Sequence, residues 1–192
     1  MGIIKKVKEQ PAIDEQSTAL LVEDSKNNRI WYDGDGKRCS EEGDAQIFGW
    51  VEDQHRKSQL NHENPVQLII GTDSQSYGQI FRFISVVCVY RPGKGGNFFY
   101  TVVKQPRNLY KGNQQARMFH EATLSIELAN TLVEAIRLKP IIHIDMSPKK
   151  GKAFTSTFSD AVVGYVKGFG YDSRIKPDSW ISSCVADRFS KR

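Results

Sequence analysis

The chain has 192 residues, 39% of them hydrophobic and 26% charged, which is enough for one globular domain with a core of its own. No run of about 18 apolar residues occurs, which excludes a predicted membrane span, and three widely spaced cysteines exclude a disulfide framework, so we expect a soluble protein of the reducing cytoplasm. The formal net charge of +5 is compatible with a polyanionic partner but does not by itself indicate one.

The N-terminal segment, residues 1–64, is polar and rich in turn signals, and we predict that it forms an extension. It lacks the apolar part of a signal peptide, and Lys6 stands where a myristoylation motif requires Ser or Thr. Its predicted elements are a hairpin around residues 29–32 that turns at residues 33–36, and a short helix over residues 47–59. DGDGK resembles the start of a calcium loop, but the distal ligands of an EF-hand are missing, so a tight turn is the better interpretation.

Three predicted strands follow from residue 66 onward. QLIIGTD is a short apolar run, FRFISVVCVY is a longer one, and NFFYTVVKQ is the third. The connections between them, SYGQI and RPGKGGN, are short and rich in turn residues. The three strands must therefore be antiparallel neighbours, because a parallel return requires a crossover of a dozen or more residues.

Helices and strands alternate in the rest of the chain. A helix is predicted over residues 114–137, and IIHIDM after Pro140 is predicted as a buried strand. FSDAVVGYVKGF is predicted as a second helix, SRIKP as a short fifth strand, and DSWISSCVADRF as a last helix capped by Asp178 or Ser179. The sequence therefore predicts an α/β domain over residues 65–192, with a mixed five-stranded sheet, three antiparallel strands then two parallel, and helices on both faces.

Four acidic residues could meet at one edge of this sheet. Asp73 and Asp145 close two predicted strands, and ligands of open α/β sheets bind at the carboxyl ends of strands. Glu121 in the first turns of the long helix and Asp187 in the last helix could reach the same edge. Carboxylates that lie close together repel, and a divalent cation such as Mg²⁺ or Mn²⁺, which prefers oxygen ligands, relieves that repulsion. Two such ions could activate a water for phosphodiester displacement.

Each acid also has a purely structural interpretation. Asp73 and Asp145 could cap turns, since Asp hydrogen-bonds readily to its own backbone. Glu121 could be a solvated helix residue, and Asp187 could form a surface ion pair with Arg188 beside it. The metal hypothesis therefore depends on the four acids as a set.

Three other patterns are weaker indications of function. HEATL at residues 120–124 begins like a zinc-protease helix, but Leu occupies the place of the second His. His143 and Asp145 share a strand face, yet no GxSxG nucleophile motif accompanies them, so a buried His bonded to a neighbour is favoured over a catalytic base. Lys176 could contact a phosphate, although a single Lys is usually a solvated charge.

Six motifs occur in one order along residues 66–190: IIGTDSQ, a GKGG hairpin followed by FFY, HEATLSIELA, IHIDMS, VVGYVKGFGY and IKPDSWISSCVADR. Together they resemble the YkuK family of ribonuclease-H-like proteins. The resemblance implies the ribonuclease H fold, whose catalytic acids lie on the first strand, the first helix, the fourth strand and the last helix. The residues in those places are Asp73, Glu121, Asp145 and Asp187. Ser74 and Gln75, beside the first acid, are implied substrate contacts.

We therefore expect a metal-dependent nuclease or nuclease-like phosphodiesterase, in which the four acids are catalytic and hold Mg²⁺ or Mn²⁺. Its expected partner is RNA, RNA–DNA hybrid or structured DNA, and no membrane. Ser74, Gln75 and Lys176 are the predicted substrate-binding residues. The alternative is a catalytically silent module of the same fold that binds nucleic acid or serves regulation, because fold does not fix function.

Overall fold

The computed structural model describes residues 29–39, 43–60, 66–110, 112–148 and 158–190, and in the last range it leaves out the side chains of residues 183, 184, 187 and 190. The elements in chain order are β1 (Trp31–Asp33), α1 (Gly43–Leu60), β2 (Gln67–Tyr77), β3 (Ile80–Arg91), β4 (Gly95–Pro106), a 3-10 turn (Arg107–Tyr110), α2 (Gln114–Ile136), β5 (Ile141–Ile144), α3 (Ser159–Gly168), β6 (Ser173–Arg174), a π-helical segment (Ile181–Ala186) and α4 (Asp187–Ser190). The π-helical segment and α4 are together called the C-terminal helix below. No described helix is long and apolar enough to cross a membrane.

The strands form one sheet in the order β1-β4-β3-β2-β5-β6. β2, β3 and β4 are antiparallel neighbours, while β5 runs parallel to β2 and β6 runs parallel to β5. The predicted mixed α/β sheet is confirmed, but it has six strands rather than five, because β1 pairs with β4 at the edge. The predicted hairpin is seen in the bridge between Tyr32 and Arg38. Its first strand was missed as part of the sheet because three residues are too few to show a strand period.

Local signals explain the bounds of α2, the longest helix. The side chain of Asn113 accepts a hydrogen bond of 2.8 Å from the backbone N–H of Ala116, which satisfies one of the free donors at the helix start. The helix ends at Arg137, whose φ of 58° is left-handed and whose N–H bonds back to the carbonyl of Val133. The predicted span of residues 114–137 therefore matches the observed helix closely.

Helices cover both faces of the sheet. One face carries α1, α2 and α3 around the larger core, and the other carries the C-terminal helix. Trp31, Ile47, Phe48 and Val51 belong to the larger core, so the described part of the N-terminal segment packs onto the same sheet as the rest of the chain. The predicted short helix of that segment is α1, which begins four residues earlier than expected. Residues 1–28 of the predicted extension lie outside the described residues.

The C-terminal helix lies unusually close to β2 at Gly71. A Cβ atom at this position would stand 3.2 Å from each of three atoms: the carbonyl oxygen of His143, the Cγ2 of Ile181 and the backbone nitrogen of Ser182. A side chain would push the helix away from the sheet. Glycine therefore sets the distance between the C-terminal helix and the strand that carries Asp73.

Candidate functional site

Asp73 and Asp145 lie at the same end of the parallel pairing between β2 and β5, a place called the acidic edge below. β2 and β5 are parallel, and the last paired residues in their register are Thr72 and Ile144. Asp73 follows the first and Asp145 follows the second. The two acids are therefore neighbours, as expected, but the prediction that Asp73 closes its strand is wrong, because β2 continues to Tyr77 in antiparallel pairing with β3.

Hydrogen bonds lock α2 over β2 at this edge. Thr72 and Ser125 share a hydrogen bond of 2.8 Å between their hydroxyls, and Ser74 donates one of 2.5 Å to Oε1 of Glu121. Since side chains alternate along a strand, Thr72 and Ser74 face α2 while Asp73 faces the opposite side, where the C-terminal helix packs. Glu121 and Asp73 thus approach the edge from two sides of β2.

The negative charges of two other acids act on the carboxyl of Glu121. Its pKa is raised to about 8, chiefly by burial and then by the negative charges of Asp73 and Asp145, which together outweigh the hydrogen bond from Ser74 and the positive charge of Arg117. At neutral pH the Glu121 carboxyl is therefore largely protonated. A cation placed between the three acids would favour the ionised form of all of them.

Arg117 is a site residue that the sequence analysis missed. Its Nη1 donates hydrogen bonds of 3.1 Å to both the carbonyl oxygen and the hydroxyl of Ser74. The guanidinium also lies over the ring of Phe81, 5.3 Å from the centroid. Arg117 precedes Glu121 by four residues, so helical spacing could have placed it on the same face as that acid.

Lys176 pairs with Asp145. The distance from its Nζ to Oδ1 of Asp145 is 2.6 Å, with the Lys side chain 45% exposed and the Asp side chain 20% exposed. The backbone N–H of Lys176 donates to the carbonyl of Met146, which holds the Lys beside the end of β5. The predicted phosphate contact therefore lies at the acidic edge, but its partner in the structure is a carboxylate.

The donor atoms at this edge are of the type that Mg²⁺ and Mn²⁺ prefer, since they are carboxylate oxygens. Among the described residues, however, no group of three or more His, Cys, Asp or Glu side chains is arranged to hold a metal ion. Asp187 begins α4, which contacts β2 and β3, but its side chain lies outside the described residues. The metal hypothesis stays a prediction, and the acids concerned are the four named from the sequence.

His143 has the structural role that the sequence favoured. It is buried, and its Nδ1 accepts a hydrogen bond of 3.4 Å from the backbone N–H of Ile181. Burial, and then the positive charge of Arg174, lower its pKa to about 4. A histidine that stays neutral and holds the C-terminal helix is a packing residue.

Comparison with known proteins agrees with the fold. A model of the ribonuclease H-like family matches residues 50–191. The chain belongs to the ribonuclease H-like family. It is 28% identical over 140 residues to the uncharacterized protein YkuK of Bacillus subtilis (strain 168), a match that covers 65% of this chain and 78% of YkuK. No solved structure matches the chain. The resemblance that the six motifs indicated is confirmed.

Counted from β2 and α2, the four predicted acids of this ribonuclease H-like protein lie on or directly next to the elements named from the resemblance. Asp73 lies on β2, Glu121 on α2, Asp145 directly after β5, and Asp187 at the start of α4. The extra strand β1 precedes them and leaves the order of the other five unchanged. Of the predicted substrate contacts, Ser74 holds Glu121 rather than facing open solvent, and it is buried.

Proposed function

We propose that this ribonuclease H-like protein is a metal-dependent nuclease or nuclease-like phosphodiesterase that acts on nucleic acid. The observation that carries the proposal is the placement of Asp73 and Asp145 directly after the last parallel-paired residues of β2 and β5, with Glu121 held against β2 through Ser74. Membership of the ribonuclease H-like family supports a nucleic-acid-related activity.

In this proposal Asp73, Glu121, Asp145 and Asp187 hold Mg²⁺ or Mn²⁺, which when bound supplies Lewis acidity and a water of lowered pKa. Ser74 fixes the orientation of the Glu121 carboxyl through its hydrogen bond of 2.5 Å. Arg117 holds Ser74 in turn. These hydrogen bonds therefore hold the Glu121 carboxyl, which would be a ligand of the cation, in one orientation, as catalytic geometry requires.

Lys176 is proposed to change partner when the site is loaded. Its side chain is 45% exposed, so little packing has to be broken to release it from Asp145. Once a cation neutralises Asp145, the ammonium group is free to contact a backbone phosphate of the substrate. The ion pair with Asp145 keeps the Lys at the edge where that phosphate would lie.

The decisive experiment is cleavage of labelled RNA, DNA, RNA–DNA hybrid and branched DNA with Mn²⁺ or Mg²⁺, comparing wild type with Asp73→Asn and Asp145→Asn. We expect both variants to lose at least about a hundredfold in rate, since each removes a charged group at the reacting centre. Asp35→Asn is the matched control, because Asp35 is an exposed Asp in the turn after β1. Equal cleavage by all four proteins would rule out a catalytic role for these acids.

A catalytically silent nucleic-acid-binding module is the second candidate. It is favoured by the absence of a preformed group of three metal-binding side chains among the described residues and by the pairing of Asp145 with Lys176. Titration calorimetry with Mn²⁺ distinguishes the two candidates. Binding that is lost in Asp145→Asn supports the nuclease, whereas salt-sensitive nucleic-acid binding without any Mn²⁺ binding supports the silent module.

A further inference from the structure

A cavity of about 560 Å³ lies at the N-terminal end of α2, next to the part of β2 that follows Ser74. This volume is within the usual range for small-molecule sites. The residues that matter for its chemistry are Gln75, Phe81, Tyr110, Asn113, Gln114 and Arg117. Of these residues, only Gln75 was named from the sequence, as a predicted substrate contact.

One wall of the cavity is aromatic and firmly supported. The rings of Phe81 and Tyr110 meet edge to face, with centroids 5.6 Å apart. Phe83 lies behind both of them and contacts His120 of α2 at 4.8 Å between centroids. Aromatic walls of this kind stack nucleobases, and such stacking tolerates every base because each has a π face.

Three of the residues that line the cavity carry amide side chains. Gln75, Asn113 and Gln114 contribute hydrogen-bond donors and acceptors of the type that read the edges of an unpaired base. The Oδ1 of Asn113 is fixed by the bond from Ala116, so its amino group is oriented by the helix cap. An aromatic wall combined with several amides suits a planar, polar, uncharged ring better than it suits an apolar ligand or a metal ion.

Arg117 connects this cavity to the acidic edge. Its guanidinium lines the cavity over Phe81, and its Nη1 reaches Ser74, which donates to Glu121 at 2.5 Å. Two hydrogen bonds thus separate the cavity from the carboxylates. A nucleotide whose base lies in the cavity would carry its phosphate toward Arg117 and the acids, with the cation of Arg117 facing the polyanion.

We propose that this cavity binds one unpaired base of a single-stranded nucleic acid, with the adjoining phosphate directed toward Arg117. The inference rests on the proposed function and specifies its substrate class. A base inside a duplex is stacked and paired, and it can enter such a cavity only after being flipped out. The protein therefore prefers single strands, or single-stranded ends, to a continuous duplex.

The test is equilibrium binding of short DNA and RNA strands that carry 2-aminopurine, with EDTA present so that no cleavage occurs. We expect the full-length wild type to quench 2-aminopurine and to bind the single strand at least tenfold more tightly than the duplex of the same sequence. Tyr110→Leu removes the stacking face and keeps apolar bulk, and it should weaken single-strand binding by about tenfold. Phe169→Leu is the control, since Phe169 is an exposed aromatic at the end of α3, 53% accessible.

A competition experiment covers the case in which Tyr110→Leu does not fold. Adenosine monophosphate should displace the labelled strand from wild type, and ribose 5-phosphate, which lacks the base, should displace it far less. Equal competition by the two compounds, or a folded Tyr110→Leu protein with wild-type affinity, overturns the proposal.

These outcomes are separate from those of the nuclease proposal. Single-strand preference and Tyr110 dependence without metal-dependent cleavage would keep the base cavity and reject the nuclease. Cleavage that requires Asp73, together with unchanged binding by Tyr110→Leu, would keep the nuclease and reject the cavity.

Discussion

Replacing Glu121 with Gln should make the protein more stable at neutral pH when no divalent cation is present. Gln has the shape of the protonated carboxyl and can still accept the hydrogen bond from Ser74. The pKa of Glu121 is about 8 in the fold against an ordinary value of 4.5, mainly through burial and then through the charge of Asp73. The folded state therefore holds this proton more tightly than the unfolded state does.

The sign and size of the effect follow from that difference. The contribution of protonated Glu121 to stability is fully present below pH 4.5, and it is lost progressively as pH rises toward about 8. Each pH unit in this window lowers the free energy of unfolding by up to about 1.4 kcal/mol, so wild type should lose about 2.5 kcal/mol between pH 5 and pH 7 through this residue. Glu121→Gln removes this loss because it does not titrate.

The assay is urea denaturation of wild type and Glu121→Gln between pH 5 and pH 8 with EDTA, using the midpoint and slope of each transition. Glu127→Gln is the control, because Glu127 is exposed on the same helix. We expect the free-energy difference between wild type and Glu121→Gln to grow with pH, while the Glu127→Gln curve parallels that of wild type. Parallel curves for wild type and Glu121→Gln would refute the argument. Added Mn²⁺ should reverse the order of stability, since a cation stabilises only the ionised wild-type acid.

Three further substitutions test the packing and the charges. Gly71→Ala should destabilise the fold by about 1–3 kcal/mol, because the new methyl group meets backbone atoms of β5 and of the C-terminal helix at 3.2 Å; an unchanged urea midpoint would show that the helix can shift freely. Leu132→Ala on the buried face of α2 should cost about 2–5 kcal/mol, whereas Leu60→Ala, at a side chain 71% exposed, should change stability by less than about 0.5 kcal/mol in the same denaturation assay. Lys176→Met should change stability by less than about 1 kcal/mol, because its ion pair with Asp145 is partly exposed. The same substitution should weaken nucleic-acid binding and make that binding less dependent on salt. An unaltered salt dependence would exclude a phosphate contact.

Most of the fold could be predicted because its signals are local. The connections between β2, β3 and β4 are too short for any arrangement other than antiparallel pairing. The helical period of residues 114–137 continues up to the left-handed Arg137. β1 escaped prediction as a sheet strand because its pairing with β4 joins Trp31 to Thr101, a contact that no local pattern records. The π-helical segment within the predicted last helix lies against Gly71 of β2, a contact that is likewise remote in the sequence.

Part of the candidate site could likewise be predicted from local signals, and part could not. Asp73 and Asp145 could be found because each directly follows an apolar run, and both lie just beyond the parallel pairing of β2 with β5. The continuation of β2 past Asp73 was missed because its last residues, 74–77, are mostly polar. The pairing of Lys176 with Asp145, and the convergence of Phe81 and Tyr110 beside Arg117, join residues that lie far apart in the chain. Spacing cannot reveal such contacts. They become visible only when the three-dimensional arrangement is known.

The short outer strands of the sheet bear on self-association. β1 and β6 have three and two residues, and β1 covers only residues 99–101 of β4 among the described parts of the chain. Beyond that stretch β4 carries Lys104 and ends at Pro106, residue types that oppose the addition of another strand through charge and through the lack of a backbone donor. A neighbouring copy of the protein that adds a strand beyond Thr101 would meet this charge and this proline, which should oppose growth of the sheet between molecules there.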